Sequence, residues 1–166
     1  MEGLRSLFDA EYYEKCGPWN PDSPYGYSPA DVHVLAANSL GIIGHVGFQR
    51  RLIDVGSIEV PVGGTGGVLV ASRARGTGLG TLLMRRVREA MHTAGVDFGY
   101  LGCREDVAPF YESCWWQRIR TRARCFSRLD GTTVIESTDT PILICSAAKP
   151  VASWPSGPID LRGTPW

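Results

Sequence analysis

The chain has 166 residues, 43% of them hydrophobic, which suits a single domain with a sizeable core. Lys plus Arg and Asp plus Glu balance at 17 each, so no global field recruits nucleic acid and no charge run makes a tail. There is no apolar run long enough for a membrane span, no basic-then-apolar leader, and no C-x-x-C spacing among the five cysteines, so neither a disulfide framework nor a metal site is expected and the expected setting is the cytoplasm.

Apolar residues at Leu4, Leu7, Phe8 and Tyr12 predict a short amphipathic helix over 4–15, stopped by Gly17-Pro18. Pro18, Pro21, Pro24 and Pro29 then stiffen a connector. Its Trp19, Tyr25 and Tyr27 carry flat amphipathic faces, fit either to pack on the core or to wall a pocket for a sugar ring or a cationic amine. Residues 32–37 read as a strand, 38–41 as a turn, 42–50 as the return strand, and 52–62 as a third strand split by Asp54-Val55-Gly56-Ser57. Three consecutive strands predict an antiparallel meander and argue against a doubly wound dinucleotide fold. A glycine run, 63–67, leads into Val68-Leu69-Val70; glycines beside a strand mark a bulge or the close approach of a ligand.

A basic glycine-rich turn follows, then a helix with apolar positions at Leu79, Leu82, Leu83, Val87, Ala90 and Met91. Thr93-Ala94-Gly95 ends that helix, 98–101 is the next strand and 105–113 a short helix. From 116 the chain returns as strands broken by Asp130-Gly131, 142–147 is the last clear strand, and 150–166 forms an extended tail of the same single domain.

The turn carries the chemistry. Gly76, Gly78 and Gly80 leave backbone N–H groups bare at a helix N-terminus, a site for a phosphate or pyrophosphate, and Arg75 can add a charge-assisted contact at its edge. The dinucleotide fingerprint G-x-G-x-x-G fails from both Gly76 and Gly64, and the P-loop Lys-Ser/Thr pair is absent. What fits is R-x-x-G-x-G from Arg75 to Gly80, which resembles the coenzyme A loop of the GCN5-related N-acetyltransferases (GNAT). Pro109-Phe110-Tyr111-Glu112-Ser113-Cys114-Trp115-Trp116 resembles the second signature of that superfamily, except that Trp115 stands where the signature has glycine.

This resemblance implies a GNAT fold of class α/β (α+β), with a mostly antiparallel sheet of about six or seven strands flanked by helices. It implies acetyl-CoA as co-substrate, held by Val68, Leu69, Val70, Arg75, Gly76, Thr77, Gly78, Leu79, Gly80 and Thr81. Backbone N–H groups near Leu69 and Val70 would polarise the thioester, and Tyr111 would protonate the leaving thiolate. Many relatives carry a glutamate base on the strand before the loop; residues 63–70 hold no acid, which leaves Glu59, His33, His45 and the terminal carboxylate as candidates.

Two further segments narrow the resemblance. Gly44-His45-Val46-Gly47-Phe48-Gln49-Arg50-Arg51-Leu52-Ile53 and a final Trp166 resemble the aminoglycoside 2'-N-acetyltransferases. The same central segment, with Ser153-Trp154-Pro155-Ser156-Gly157, resembles the rhizobial nodulation acyltransferases, which acylate the 2-amino group of a chito-oligosaccharide. The expected reaction is acetylation of an aminoglycoside at its 2'-amino group, conferring antibiotic resistance. The chain's neutral charge points to a less charged drug such as kasugamycin. The alternatives are N-acyl transfer to another amino sugar or oligosaccharide, and a non-catalytic coenzyme or antibiotic binder. Trp19, Tyr25, Tyr27, Asp31, Glu105 and Trp166 are the expected acceptor contacts, and the resemblance allows a homodimer through sheet edges.

Overall fold

The computed structural model describes residues 1–166. Helix α1 (Glu2–Cys16) precedes the strands β1 (Val32–Asn38), β2 (Gly41–Val55) and β3 (Ile58–Val70). Then come α2 (Leu79–Thr93), β4 (Phe98–Gly102), α3 (Ala108–Ser113), β5 (Gln117–Ile119), β6 (Ala123–Phe126), β7 (Val134–Ser137), β8 (Ile142–Ser146) and β9 (Ile159–Asp160). All nine strands join one sheet in the order β5-β8-β4-β3-β2-β9-β6-β7, with β1 also paired to β2. The expected α+β class and mostly antiparallel sheet are found, with two parallel pairs, β3 with β4 and β6 with β9. The strand count is nine rather than six or seven, because β5 and β9 are too short to leave a periodic pattern in sequence.

The meander is longer than expected. β2 runs through to Val55, Gly56 (φ 61°) makes the turn, and β3 continues unbroken across the glycine run to Val70. Those glycines do not end the strand, because Gly63–Gly66 stay in register with Arg50–Gly47 of β2. They are small because both faces are filled: a Cβ on Gly63 would lie 3.0 Å from Met91 of α2, and one on Gly64 only 2.0 Å from the Trp166 indole.

Alternation along the strands builds two faces. Val46, Phe48, Leu101, Leu143 and Cys145 meet Leu83, Met84, Val87 and Met91 of α2, with Trp116 beneath. On the other face Ile53, Val55, Val60, Val62, Phe98, Tyr100 and Ile144 pack with Ile159, Leu161 and Trp166 of the tail. Beside the tail, α1 buries Leu4, Leu7 and Phe8 against Trp19, Leu69 and Ala71. One expectation about α2 fails: Leu82 is exposed and Met84 fully buried, since the buried ridge runs through 83, 84, 87 and 91. No helix is long and apolar enough to cross a membrane.

Candidate active site

β4 pairs with β3 only where Val62–Gly64 face Phe98–Tyr100. Beyond Gly64 the two strands part, and from Thr65 to Val70 β3 keeps β2 on one edge and no strand on the other. A bulge sits in this stretch. The register passes from Gly66 opposite Gly47 to Leu69 opposite His45, so Gly67 and Val68 stand against Val46 alone, with Gly67 at φ 60°. The extra residue exchanges the faces. Val60 and Val62 before it pack with the tail, whereas Val68 and Val70 after it turn toward α2 and Leu69 joins the α1 cluster. The N–H of Ala71 donates to Ile43 O at 2.9 Å. Alternation along the antiparallel pair therefore turns the N–H groups of Val70 and Val68 into the cleft between β3 and β4. Leu69, expected to offer its own N–H, is turned toward β2 instead.

The cleft leads to the glycine turn. Gly76 and Gly78 take φ 75° and 81°, a region in which a side chain would be strained, and Gly78 caps α2. The first helical bond is Leu82 N–H to Gly78 O at 3.1 Å. The N–H groups of Gly76, Thr77, Gly78, Leu79, Gly80 and Thr81 have no acceptor within the chain. Six consecutive bare donors at the N-terminus of a 15-residue helix form a cradle for an anion the size of a diphosphate. Thr77 Oγ1 tightens the turn by donating to Ala74 O at 2.8 Å.

Arg75 is placed differently from the expectation. Its Nε donates to Val70 O at 3.1 Å and its Nη2 to Glu11 Oε2 at 2.5 Å. Glu11 also accepts from the Ser72 N–H at 2.7 Å and the Ser72 hydroxyl at 2.8 Å. Burial works to raise the Glu11 carboxyl, but the Ser72 hydrogen bonds and the Arg75 charge hold it below its ordinary value. Arg75 thus ties α1 to the cradle, with its charge already answered by a carboxylate.

Where the strands part, a cavity of about 410 Å³ opens toward α1 and the connector. Val68, Leu101, Gly102 and Tyr111 line the cleft end; Phe8, Tyr12, Trp19, Tyr25 and Tyr27 form an aromatic wall; Trp166 forms the floor. Burial pushes the Tyr111 phenol well above its ordinary value, so the phenol is protonated at neutral pH. The Trp19 Nε1–H and the Tyr25 hydroxyl are buried without partners. Tyr25 itself takes φ 55°, and Gly26 sits so close to Arg128 that a Cβ would meet its carbonyl at 2.3 Å. The Arg128 guanidinium lies 4.3 Å from the Tyr27 ring centroid and donates to Tyr25 O at 3.1 Å.

The floor is fixed by the segment that carried the finer resemblance. Trp166 Nε1 donates to Gln49 Oε1 at 3.0 Å, and Arg51 lies over the indole at 4.1 Å while donating to Thr164 O, Leu161 O and Ser28 Oγ.

Three acids weighed from sequence stand elsewhere. Asp31 is exposed and accepts from the Arg50 N–H at 2.8 Å; Glu105 pairs with Arg118 at 2.7 Å; Glu59 pairs with Arg162 at 2.5 Å. None of them lines the cavity, and its lining holds no aspartate or glutamate at all. Of the histidines, His45 lines it, but both of its ring nitrogens are engaged, by Gly67 O at 2.7 Å and by His33 Nδ1 at 2.9 Å. The sequence reading missed Phe8 and Tyr12 as wall residues, because their helical spacing shows a buried face without showing which surface it meets.

A sheet parted beside an anion cradle, with a phenol held in the cleft, is the arrangement of the GCN5-related N-acetyltransferase (GNAT) fold. Solved structures share the fold. The GNAT family N-acetyltransferase YhbS from Escherichia coli, in complex with CoA, matches with a TM-score of 0.63 at 17% identity, covering 97% of this chain and 83% of that one. An acyl-CoA N-acyltransferase from Pseudomonas aeruginosa matches at 0.53 and 19% identity, covering 86% of each chain. Among chains of this fold, the family model of nodulation protein A (NodA) matches residues 3–165, and the chain belongs to the NodA family. Nodulation protein A of Bradyrhizobium sp. (strain NC92) is 25% identical over 171 aligned positions, 98% of this chain and 78% of the relative. That of Mesorhizobium sp. (strain 7653R) is 26% identical over 176, covering 98% and 83%.

Proposed function

We propose that this chain transfers an acyl group from an acyl-CoA thioester to the amino group of a sugar-type acceptor. The observation that carries the reading is the run of six unpartnered N–H groups at 76–81, continuous with a cleft whose edge offers Val68 and Val70 and whose wall holds Tyr111. The cradle fits a diphosphate, and the open edge of β3 fits the amide-bearing arm of the coenzyme. The Val68 and Val70 N–H groups would stabilise negative charge on the thioester oxygen. The acceptor nitrogen forms a bond to the thioester carbon as the C–S bond breaks. Tyr111 gives its hydroxyl proton to the departing sulfur, and the proton shed by the nitrogen returns through water to the phenolate. With no aspartate or glutamate side chain in the cavity and both His45 nitrogens engaged, the amine arrives as the free base or gives its proton to water or to the terminal carboxylate at Trp166, whose carbon lies beside Gly66 in the lining.

The wall supports a sugar. Aromatic faces suit the C–H faces of a pyranose ring, and the unpartnered Trp19 and Tyr25 donors suit its hydroxyls. The narrower reading, acetylation of an aminoglycoside at its 2'-amino group, draws support from the Gln49–Arg51–Trp166 floor. The side chains of the cavity oppose it, since a polycation would meet Arg104 and Arg128 and no aspartate or glutamate in the lining. Mass spectrometry of acceptors incubated with the protein and either acetyl-CoA or palmitoyl-CoA tests both readings. De-N-acetylated chitotetraose should gain one acyl mass and kanamycin none. Kanamycin modified in preference would restore the aminoglycoside reading, and tight binding without any acylated product would make the chain a binder.

A further inference from the structure

The bulge glycine is held by a histidine. His45 is 3% exposed, its ring lies edge-on to Phe8 with centroids 5.2 Å apart, and its Nδ1 sits 2.7 Å from Gly67 O. The contact is close on every side: a Cβ on Gly67 would lie 3.0 Å from His45 Cε1 and 3.1 Å from Nδ1. A carbonyl oxygen only accepts, so His45 Nδ1 carries the proton. In the neutral ring Nε2 is then an acceptor, which makes His33 Nδ1, 2.9 Å away, the donor to it. One carbonyl thus fixes the tautomers of both rings.

The consequence lies on the far side of the same peptide unit. In a trans peptide the C=O of Gly67 and the N–H of Val68 point in opposite directions. With Gly67 O drawn to His45, the Val68 N–H is directed away from it, into the cleft. A glycine at φ 60° can rotate at little cost, and a turned peptide would put the Gly67 oxygen where negative charge has to be stabilised. The geometry points to His45 as a positioning residue: its Nδ1–H latches the Gly67–Val68 peptide so that the Val68 N–H stays aimed at the carbonyl of the acyl donor. His33, on β1, supports the latch by donating to His45 Nε2 and holding the ring in that tautomer. This assignment rests on the acyl-CoA reading above. His45 takes no proton from substrate, because neither nitrogen is free.

The test needs no acceptor. Infrared difference spectra of acetyl-CoA, with and without a carbonyl ¹³C label, report the thioester C=O stretch when bound to the wild-type chain, to His45→Asn and to His45→Leu. Asparagine carries an N–H donor the same number of bonds from Cα as histidine Nδ1; leucine carries none. The wild type and His45→Asn should show a stretch below that of free acetyl-CoA. His45→Leu should bind acetyl-CoA with affinity within about threefold and show a stretch between the wild-type and free values, since the Val70 N–H remains, with acyl transfer to de-N-acetylated chitotetraose reduced about 10²-fold. His45→Met replaces the leucine variant if that one does not fold. A stretch in the leucine or methionine variant as low as that of the wild type overturns the latch. So does a stretch in His45→Asn as high as that of His45→Leu, which would assign the effect to ring packing. Failure of the wild type to bind acetyl-CoA overturns the coenzyme reading and this assignment with it, whereas binding with an unchanged stretch in every variant and the wild type overturns the latch alone.

Discussion

Gly64 separates β3 from the indole of Trp166, and adding one methyl there has a cost that can be worked out. The Cβ would stand 2.0 Å from two ring atoms, well inside any contact distance. β3 is a central strand, paired on both sides at that residue with Gln49 and Tyr100, so its backbone cannot retreat. The ring must leave instead. It gives up an 8%-exposed site, an edge contact with Tyr100 at 5.7 Å, the Arg51 stack and the hydrogen bond to Gln49. Truncating a buried tryptophan costs roughly 3–5 kcal/mol. Removing a glycine from the unfolded chain returns about 0.4–1 kcal/mol. Gly64→Ala should therefore destabilise by about 2–4 kcal/mol. Urea unfolding of Gly64→Ala, Trp166→Ala and the double variant measures it. Because the ring is already displaced in the first, the double variant should cost little more than Trp166→Ala alone. A loss under about 0.5 kcal/mol for Gly64→Ala, or simple addition of the two costs, would refute the packing argument.

Other expectations follow from the same geometry. Tyr111→Phe should lower kcat about 10²-fold and leave the KM for acetyl-CoA within about twofold; an unchanged kcat in steady-state assays removes the phenol from the reaction. Burial, which outweighs the opposing Gly67 hydrogen bond, lowers the His45 pKa from 6.5 to about 4, with His33 adding in the same direction. His33 is itself lowered, by burial and by the Met1 amino group. The unfolded chain then binds the proton first, so stability is full above about pH 6.5 and falls as pH drops toward 4, by about 3 kcal/mol at the limit. Urea unfolding between pH 4.5 and 7.5 should show this slope and lose most of it in His45→Asn; equal slopes would contradict it. Glu11→Ala removes the shared acceptor of Ser72 and Arg75 and should cost about 2 kcal/mol, read as a lowered Tm; a Tm within error of wild type would mean that α1 is held to the cradle by its apolar face alone.

The cradle was legible in sequence because everything that makes it is local. Glycines at 76 and 78 set the backbone, and the helix that follows supplies the bare N–H groups within six residues. The meander was legible by alternation, but its ends were not. Gly63–Gly67 looked like an interruption, and only the register with β2 keeps it a strand. The same run did carry its message of close approach, though the approaching groups, Met91, Trp166 and His45, come from three other elements. Asp31 and Glu105, expected as acceptor contacts, lie outside the cavity lining for a related reason. A carboxylate's role depends on the groups it meets, and the Arg50 N–H and guanidinium reach Asp31, as Arg118 reaches Glu105, only once the sheet has formed. Leu82 illustrates the limit of helical periodicity, which finds an apolar face without fixing its edge to within one residue.

The central claim is that the bare amides of the glycine turn hold the diphosphate of an acyl-CoA. Titrating ¹⁵N-labelled protein with acetyl-CoA tests it directly. The amide resonances of Gly76 to Thr81 should move together and saturably, along with those of Val68 and Val70 in the cleft. Saturable binding that leaves those amides unmoved, or moves a different set, would contradict it.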